Sequence, residues 1–300
     1  METLSYEDGI IYEFTKDNPY TKKVASGTTI RIETYDCFQN QIQSADTEVT
    51  AIDWDKINPA TGPIYIEGAM SGDVLKVKIE QIEIGEQGVM VVGPELGIMG
   101  HRIEKMESKI LPIKNNKVLF NDIELPINKM IGVIGVAPEG QGVNCGTPGA
   151  HGGNMDNKMI AEGATLYFPV FVEGALFSLG DFHAAMGDGE VSVSGVEVPG
   201  VATVTLEVIK GETLSHPMLE NDEVFTQIVS AETVDEAAKQ ATVEMIERIV
   251  EKSGLPVGEV TMLMSAVGQS EICQIVDPLM TARFVVPKWL LKELDVELIN

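Results

Sequence analysis

The sequence VLKVKIEQIEI, residues 74–84, alternates apolar and polar residues over most of its length. Alternation with a period of two predicts a half-buried β-strand whose apolar side chains up to Ile79 face a core. After Gln81 the apolar positions shift phase to Ile82 and Ile84. A β-bulge or a bend between two sheets explains such a shift. The stretch therefore predicts a strand with one irregular position.

Two further patterns on either side of the middle of the chain also indicate β structure. Residues 117–126 predict a hairpin whose tight turn is Asn121-Asp122, because both residue types tolerate a left-handed backbone. Residues 191–198 and 201–209 predict another strand pair, separated by the turn-forming dipeptide Pro199-Gly200. The first two thirds of the chain are thus predicted to be predominantly β.

The pattern changes after about residue 210. Thr233 and Glu236 form a capping box that starts a helix, and helical spacing of apolar residues continues to Gly254. Three elements are predicted beyond it: a helix over residues 255–267, a strand over residues 282–286 and a short helix opened by Pro287. We therefore predict a β-rich domain over residues 1–210, which carries the active site, and an α/β segment over residues 211–300.

The charge of the chain excludes some classes of partner. Its 300 residues hold 21 Lys and Arg against 46 Asp and Glu, a formal net charge of −25. Nucleic acids and anionic membrane surfaces require a basic footprint, so neither is expected as a partner. The substrate is expected to be neutral or cationic, or to be held by a metal.

Other features predict a cytoplasmic protein without a membrane span. The most apolar stretches, residues 131–137 and 166–179, are short or interrupted, whereas a span needs ~18–20 apolar residues. The first residues are acidic and do not resemble a secretory signal. The three cysteines are widely separated and form no CxxC pair, which argues against a disulfide scaffold or a zinc ribbon.

Chemistry-bearing residues are concentrated in residues 144–190. In extended backbone, Asp181 and His183 point to the same face, as do Asp188 and Glu190, so each pair is able to converge on one ion. Carboxylates with imidazole suit zinc or manganese, and oxygen ligands alone suit calcium or magnesium. The alternative is structural, because Gly-Asp and Asp-Gly are also ordinary turn sequences.

Two other residues of this region are candidates. His151 lies between Pro148-Gly149 and Gly152-Gly153, an irregular backbone that suits close approach to a ligand. Cys145 is the one plausible thiol nucleophile, although neighbouring carboxylates would raise its pKa, and the alternative is a small buried apolar residue. The other two cysteines are predicted to lie in the core.

Two motifs resemble those of the acetamidase/formamidase family. They are CGTPGAHGGNMDNK at residues 145–158 and GALFSLGDFHAAMGDGE at residues 174–190. The resemblance extends to residues 33–37 and 58–63. Met186 stands where a Gln is usual in the family, and Ala150 where Glu is common; these departures bear on amide selectivity.

The resemblance implies a fold, a reaction and an assembly. The fold is a mainly β, jelly-roll-like β-sandwich with a smaller β part and a C-terminal α/β segment. The reaction is hydrolysis of a small aliphatic amide, acetamide or formamide, to ammonia and a carboxylate. The assembly is a homodimer or a larger homo-oligomer. A divalent metal, zinc and/or calcium, is also implied, with its ligands expected among Asp36, His151, Asp156, Asp181, His183 and Glu190.

The expected mechanism uses water activated by that metal, because a bound cation polarises the amide carbonyl and lowers the pKa of water. Glu190 is the predicted general base, with Asp188 in reserve. Asn154 and the backbone N–H groups of Gly152 and Gly153 are predicted to stabilise the oxyanion. The predicted substrate contacts are Gly152, Gly153, Met186 and Cys145. Two alternatives remain open: a thiol amidase that uses Cys145, and a non-enzymatic metal-binding β-sandwich.

Overall fold

The structure, a computed structural model, describes residues 2–299 and is mainly β. Its strands are β1 Glu2–Leu4, β2 Ile10–Ile11, β3 Glu13–Phe14, β4 Lys22–Val24, β5 Thr28–Thr34, β6 Ala60–Ile66, β7 Val74–Ile84, β8 Gln87–Val92, β9 Glu107–Lys114, β10 Lys117–Phe120, β11 Ile123–Pro126, β12 Met130–Gly135, β13 Val143–Asn144, β14 Gly152–Asn154, β15 Thr165–Pro169, β16 Phe177–His183, β17 Glu197–Val198, β18 Gly200–Ile209, β19 Met218–Glu220, β20 Val224–Ala231, β21 Gln269–Gln274 and β22 Met280–Pro287. The α-helices are α1 Val234–Ser253, α2 Val257–Val267 and α3 Lys288–Glu293. Short 3-10 helices cover Val49–Ala51, Trp54–Lys56 and Gly100–Arg102.

Two large sheets pack face to face. The first has the order β1-β5-β18-β7-β15-β19-β20-β22-β21; the second follows β11-β10-β9-β8-β17-β16-β12-β14, with β6 joining β16 to β2 and β4. Their inner faces share one apolar core, in which Ile32 and Val77 of the first sheet pack with Ile134 and Phe177 of the second. Such sharing is the arrangement of a β-sandwich. The predicted mainly β fold with a C-terminal α/β segment is therefore confirmed.

The stretch with the phase shift forms the whole of β7, at the centre of the first sheet. Its partner β18 places Thr203 opposite Gln81 and Val204 opposite Ile79, which leaves Glu80 as the extra residue. This is the predicted β-bulge. It returns the apolar side chains to the core face, so Ile79 and Ile82 are both fully buried.

The predicted hairpin is confirmed, and the predicted strand pair is wrong. Strands β10 and β11 pair through the Asn121-Asp122 turn, with Phe120 opposite Ile123. In contrast, β17 belongs to the second sheet and β18 to the first, and the chain crosses between the sheets at Pro199. Most of residues 191–196 is irregular, because Ser194 uses its hydroxyl to accept from the Val91 N–H and to donate to the Val91 carbonyl. The Ser194 side chain thus binds the backbone groups of Val91 in β8 that a neighbouring strand would otherwise bind.

The C-terminal elements match the sequence pattern. Helix α1 begins after Thr233, whose hydroxyl accepts from the Glu236 N–H, and ends at Gly254 in the left-handed conformation. The helices pack on β20, β21 and β22 at one end of the first sheet and form a second core that includes Met245 and Val286. The first sheet continues without a break from β15 to β19, and the division at residue 210 stays a prediction. Between residues 2 and 299, every helix is too short or too polar to cross a membrane.

Candidate active site

Segments far apart in the sequence meet at one end of the second sheet. Strand β14 leads into Asp156, β16 carries Asp181 and His183, the following loop carries Glu190, and β17 carries Glu197. All five side chains are buried. Asp277, in the loop after β21, joins them from the C-terminal segment and accepts a hydrogen bond from Asn154 Nδ2 at 3.1 Å.

The imidazole of His183 lies at the centre of the carboxylates. Its Nε2 is 3.1 Å from Glu197 Oε2 and 3.5 Å from Asp181 Oδ1. The same nitrogen is 3.8 Å from Asp156 Oδ1 and 4.0 Å from Glu190 Oε1. Asp181 and His183 therefore approach each other, but not through the predicted extended backbone, because Asp181 has a φ of 58°.

Several donor atoms of this cluster lack protein hydrogen-bond partners. Both carboxylate oxygens of Asp156, Oδ1 of Asp181, Oε2 of Glu197 and both ring nitrogens of His183 are buried without one. Buried polar groups are otherwise almost always satisfied, because an orphaned group loses its hydration without compensation. Orphaned oxygens and imidazole nitrogens gathered at one point fit a divalent cation.

Gly132 of β12 supplies the space for the carboxylates. A Cβ built on this glycine would lie 2.3 Å from Asp181 Oδ2 and 2.4 Å from Asp156 Oδ1. Real Cβ atoms do not approach oxygens that closely. Any larger residue at position 132 would therefore displace both side chains, so the strand forms a cradle for them.

Three acids of the cluster have an unusual backbone. Asp156, Asp181 and Glu190 adopt positive φ angles of 40°, 58° and 45°. Residues other than glycine adopt this region at an energetic cost, and such strain concentrates at functional sites where the surrounding structure enforces it. The backbone is thus strained at three points where a donor side chain enters the cluster.

Burial raises the pKa of most of these acids. It raises the pKa of Asp156 and of Glu190 well above the ordinary values, with repulsion from Asp181 and Asp156 respectively adding to the effect. Burial also raises the pKa of Glu197 to about 7 and that of Asp277 well above its ordinary value. Without a cation these acids hold protons at pH values where exposed carboxylates have lost them.

His183 shows the opposite balance of forces. Burial lowers its pKa, but the negative charges of Glu197 and Asp181 outweigh burial and raise the pKa well above the ordinary value. While these carboxylates are charged, the imidazole therefore holds its proton more strongly than an exposed histidine does.

A cavity of about 270 Å³ opens onto the cluster. Its polar end is formed by Asn154, Asp181, Glu190, Glu197 and Asp277. Its apolar wall includes Phe38, Trp54, Val91, Leu96 and Val276. A pocket of this size is at the small end of the range for ligand sites, and it combines an apolar wall with a few convergent polar groups.

Two predicted metal ligands lie outside the cluster of donors. Asp36 is buried, but its Oδ1 accepts from the N–H groups of Phe38 and Asn40 in its own turn. His151 packs edge-on against Phe14, and burial lowers its pKa to about 4 without the compensation that His183 receives. The Nε2 of His151 is buried and unpartnered. Their roles as ligands stay predictions.

Asp188 and Glu190 do not converge. Asp188 pairs with Arg283 at 2.8 Å and with Lys158 at 2.6 Å. Although burial opposes the effect, hydrogen bonds from these two residues lower the pKa of Asp188. The two acids are separated because Gly189 has a φ of 100° and the segment is a turn, so the two-residue period of a strand does not apply.

The predicted substrate contacts are placed away from the cavity described above. Cys145 lies in a small apolar cluster with Phe14 and Val133, its Sγ 3.6 Å from the Ile11 carbonyl, and burial raises its pKa. Such a thiol is poorly suited to act as a nucleophile. Met186 lines a second cavity on the other side of Glu190. Its contact with substrate stays a prediction.

The glycines before Asn154 are explained by tight packing. Added Cβ atoms would lie 2.3 Å from the Ile134 carbonyl oxygen at Gly152 and 2.4 Å from the Thr147 carbonyl oxygen at Gly153. The N–H of Gly152 donates to the Gly149 carbonyl at 3.0 Å. An oxyanion contact by either glycine stays a prediction.

Sequence reasoning missed Glu197, Asp277 and the site-facing position of Cys37. Two groups of donors within 4.8 Å of one another occur in residues 2–299: Asp156, His183 and Glu190; Cys37, Asp181 and Glu197. A single acid between buried valines, as in Val196-Glu197-Val198, is a signal that points to a buried functional carboxylate. Asp277 carries no comparable local signal, because only the tertiary fold brings the C-terminal segment here.

Solved structures of similar proteins share the whole fold. A predicted acetamidase/formamidase from Thermoanaerobacter tengcongensis is 50% identical with a TM-score of 0.97, covering 99% of this chain and 98% of its own. An acetamidase from Bacillus halodurans is 44% identical with a TM-score of 0.96, covering 98% and 100%. A γ-lactamase from Delftia acidovorans, 21% identical with a TM-score of 0.63, shares the fold.

Residues 7–144 and 140–289 match the profile of the Acetamidase/Formamidase family. The chain belongs to this family. The resemblance seen in the two motifs is thereby confirmed, and membership assigns the chain to a family of amidohydrolases.

More distant relatives carry related names. A putative formamidase of Schizosaccharomyces pombe is 24% identical over 257 residues, which cover 65% of this chain and 62% of that protein. The matched region is thus less than two thirds of that relative's length. A formamidase of Methylophilus methylotrophus is 23% identical, covering 78% of this chain and 75% of its own.

Proposed function

We propose that this protein hydrolyses a small aliphatic amide, such as acetamide or formamide, to ammonia and a carboxylate. The observation that carries the proposal is the buried acid and histidine cluster at the end of a small, mainly apolar cavity. Family membership supports the reaction class. The small volume supports a short acyl group, because a close-fitting wall excludes longer chains.

We infer that the cluster holds a divalent metal, with zinc and calcium as the candidates. Asp156, His183 and Glu190 would hold it, because their donor atoms lie within 4.8 Å of one another, and Asp181 would join them, because its Oδ1 lies 3.5 Å from His183 Nε2. Imidazole and carboxylate together favour zinc, whereas calcium prefers oxygen ligands alone. When bound, such an ion supplies polarisation of the amide carbonyl and a lowered pKa of water.

Glu190 is the residue to which we assign proton transfer. Its carboxyl group lines the cavity, and while one of its two oxygens contacts the metal, the other would be available to accept a proton. A general base must bind a proton strongly enough to take it from water and then release it to the departing amine. Asp188 stays the weaker candidate, because Arg283 and Lys158 hold its carboxylate.

We assign Asn154 to orientation of the amide. One of its N–H groups donates to Asp277, and its Oδ1 is buried without a partner. The free oxygen suits an N–H of the substrate, while the second N–H of the side chain suits the oxygen that becomes negative. The substrate amide would then form hydrogen bonds to Asn154 through both its N–H and its oxygen.

The test is an ammonia assay on the full chain with formamide, acetamide and propionamide. We expect removal of the metal with a chelator to abolish ammonia release, and zinc or calcium to restore it. Glu190→Gln should lower kcat by about 10²–10⁴-fold, as loss of a general base does. Cys145→Ala should keep full activity.

Three results would contradict the proposal. Ammonia release that survives complete metal removal rules out the metal-assisted route. An inactive Cys145→Ala variant that still binds metal favours the thiol amidase. Metal-dependent stabilisation without ammonia release from any amide favours a non-enzymatic sandwich. The cytoplasmic location and the homodimer or larger homo-oligomer stay proposals for separate measurement.

A further inference from the structure

Arg283 of β22 is a buried cation beside the cluster. Its guanidinium donates to both oxygens of Asp188, from Nη1 at 3.0 Å and from Nη2 at 2.8 Å. Nη1 also donates to Asn157 Oδ1 at 2.9 Å, and Nε donates to Glu271 Oε2 at 2.7 Å. The side chain is only 1% exposed. A bidentate salt bridge of this kind fixes the relative orientation of the Arg283 guanidinium and the Asp188 carboxylate.

The partners of Arg283 flank the strained donors of the cluster. Asn157 directly follows Asp156, and Asp188 precedes Glu190 by two residues. Asp156 and Glu190 both have positive φ angles. A strained backbone of this kind persists only where surrounding contacts enforce it. One guanidinium therefore restrains two segments that are about thirty residues apart in sequence, and each of them presents a donor.

The same C-terminal strands restrain the second segment through the backbone. The Gly189 N–H donates to the Cys273 carbonyl at 2.7 Å, and the Ile275 N–H donates to the Gly189 carbonyl at 3.3 Å. These bonds place the turn between Asp188 and Glu190 against β21. The C-terminal segment thus contacts the segment that carries Glu190 through both backbone and side chain.

We propose that Arg283 is a positioning residue that sets the metal-binding geometry of Asp156 and Glu190. The inference rests on the metal site of the proposed function. Mutation of residues that orient metal ligands typically lowers metal affinity by about 10–100-fold. Arg283 acts through Asn157 and Asp188 and does not contact substrate.

Arg248 offers a matched control for a purely structural effect. It is a largely buried arginine of the same C-terminal segment, and it pairs with Glu212 at 2.6 Å and donates to the Leu298 and Thr213 carbonyls. It lies on α1, and none of these partners belongs to the cluster. Arg248→Met therefore measures the cost of losing a buried arginine without changing the support of the donors.

The experiment compares the wild type with Arg283→Met, Arg283→Lys and Arg248→Met. Zinc affinity is measured by competition with a chromophoric chelator, Tm on metal-free protein, and kcat and KM with acetamide. We expect Arg283→Met to weaken zinc binding about 10–100-fold, the usual effect of losing a supporting contact, and to lower kcat more than it raises KM. Arg283→Lys should recover part of the affinity, because lysine lacks the two-pronged geometry. Arg248→Met should lower Tm and keep wild-type affinity.

Wild-type zinc affinity in Arg283→Met, with a loss of Tm like that of Arg248→Met, overturns the inference. If Arg283→Met does not fold, Arg283→Lys is compared with Arg248→Met, which removes an arginine whose partners belong to no part of the cluster. Weaker zinc binding only in the lysine variant supports the inference, and equal affinities overturn it. A wild-type protein that binds neither zinc nor calcium contradicts the proposed function itself.

Discussion

His183 and Glu197 lie opposite each other on the neighbouring strands β16 and β17, with Nε2 of the imidazole 3.1 Å from Oε2 of the carboxylate. Both side chains are buried. Cross-strand pairing fixes the backbone of both residues, so the two charges are held together by the sheet itself. The backbone positions of these two residues are therefore fixed relative to each other, and they form the rigid part of the donor cluster.

Glu197→Gln is predicted to lower the pKa of His183. The charge of Glu197 is the largest contribution that opposes burial, so its removal lets burial dominate. The measurement is an NMR titration of the imidazole signals in metal-free protein, with His151 as the internal reference. An unchanged titration of His183 would show that the other carboxylates determine its protonation.

Gly132→Ala is predicted to weaken metal binding and activity by at least about 10-fold, as disturbed ligand support does. The added methyl group would collide with Asp181 Oδ2 and Asp156 Oδ1. Zinc titration and ammonia release check the effect. Gly140→Ala is the control, because its Cβ meets open space. Equal zinc affinity in the two variants would mean that Asp156 and Asp181 move away from the added methyl group without loss of metal binding.

Trp54→Ala is predicted to shift selectivity toward longer amides. Trp54 lines the cavity and packs edge-on against Phe38, with ring centroids 6.4 Å apart. Removing the indole should raise kcat/KM for propionamide relative to acetamide by about 10-fold, because the two amides differ by one methylene, which contributes ~1–3 kcal/mol in a close-fitting pocket. Trp289→Ala on α3 is the control, since that indole is largely exposed. An unchanged ratio of the two kcat/KM values would show that the acyl group of the substrate does not contact Trp54.

Glu197 is predicted to contribute a loss of stability to the metal-free protein as pH rises from about 4.5 to about 7. Burial raises the pKa of Glu197 from 4.5 to about 7, so the folded state binds more protons than the unfolded state in this window. Because the folded pKa is the higher one, the stabilisation is fully present below the unfolded pKa and is lost as pH rises through the folded pKa. His151, whose pKa is lowered to about 4, has the opposite effect between pH 4 and 6.5.

Urea unfolding of metal-free protein at pH 5 and pH 7 tests this dependence. Glu197→Gln tests the contribution, because the glutamine does not titrate and the lower pKa of His183 in this variant changes the pH dependence in the same direction. We expect the difference in unfolding free energy between the two pH values to be smaller in the variant. The same difference in both proteins would contradict the assigned pKa of Glu197.

Local patterns predicted the elements that depend on neighbouring residues. The phase shift around Gln81 predicted the bulge in β7, the Asn121-Asp122 turn predicted a hairpin, and Thr233 predicted the start of α1. The pairing of residues 191–198 with 201–209 was wrong, because the choice of partner strand depends on the packing of two sheets. Local alternation contains no information about which sheet a strand joins.

The sequence by itself determined the β character of the chain, its family and the presence of Asp156, Asp181, His183 and Glu190 as candidate donors. Only the tertiary structure decided that Glu197 and Asp277 join them, that Asp188 faces Arg283, and that Cys145 lies in the core. The physical reason is that a site of this kind consists of distances between side chains from separate strands and loops. Those distances are set by sheet pairing and burial, whereas a motif records only which residues are adjacent along the chain.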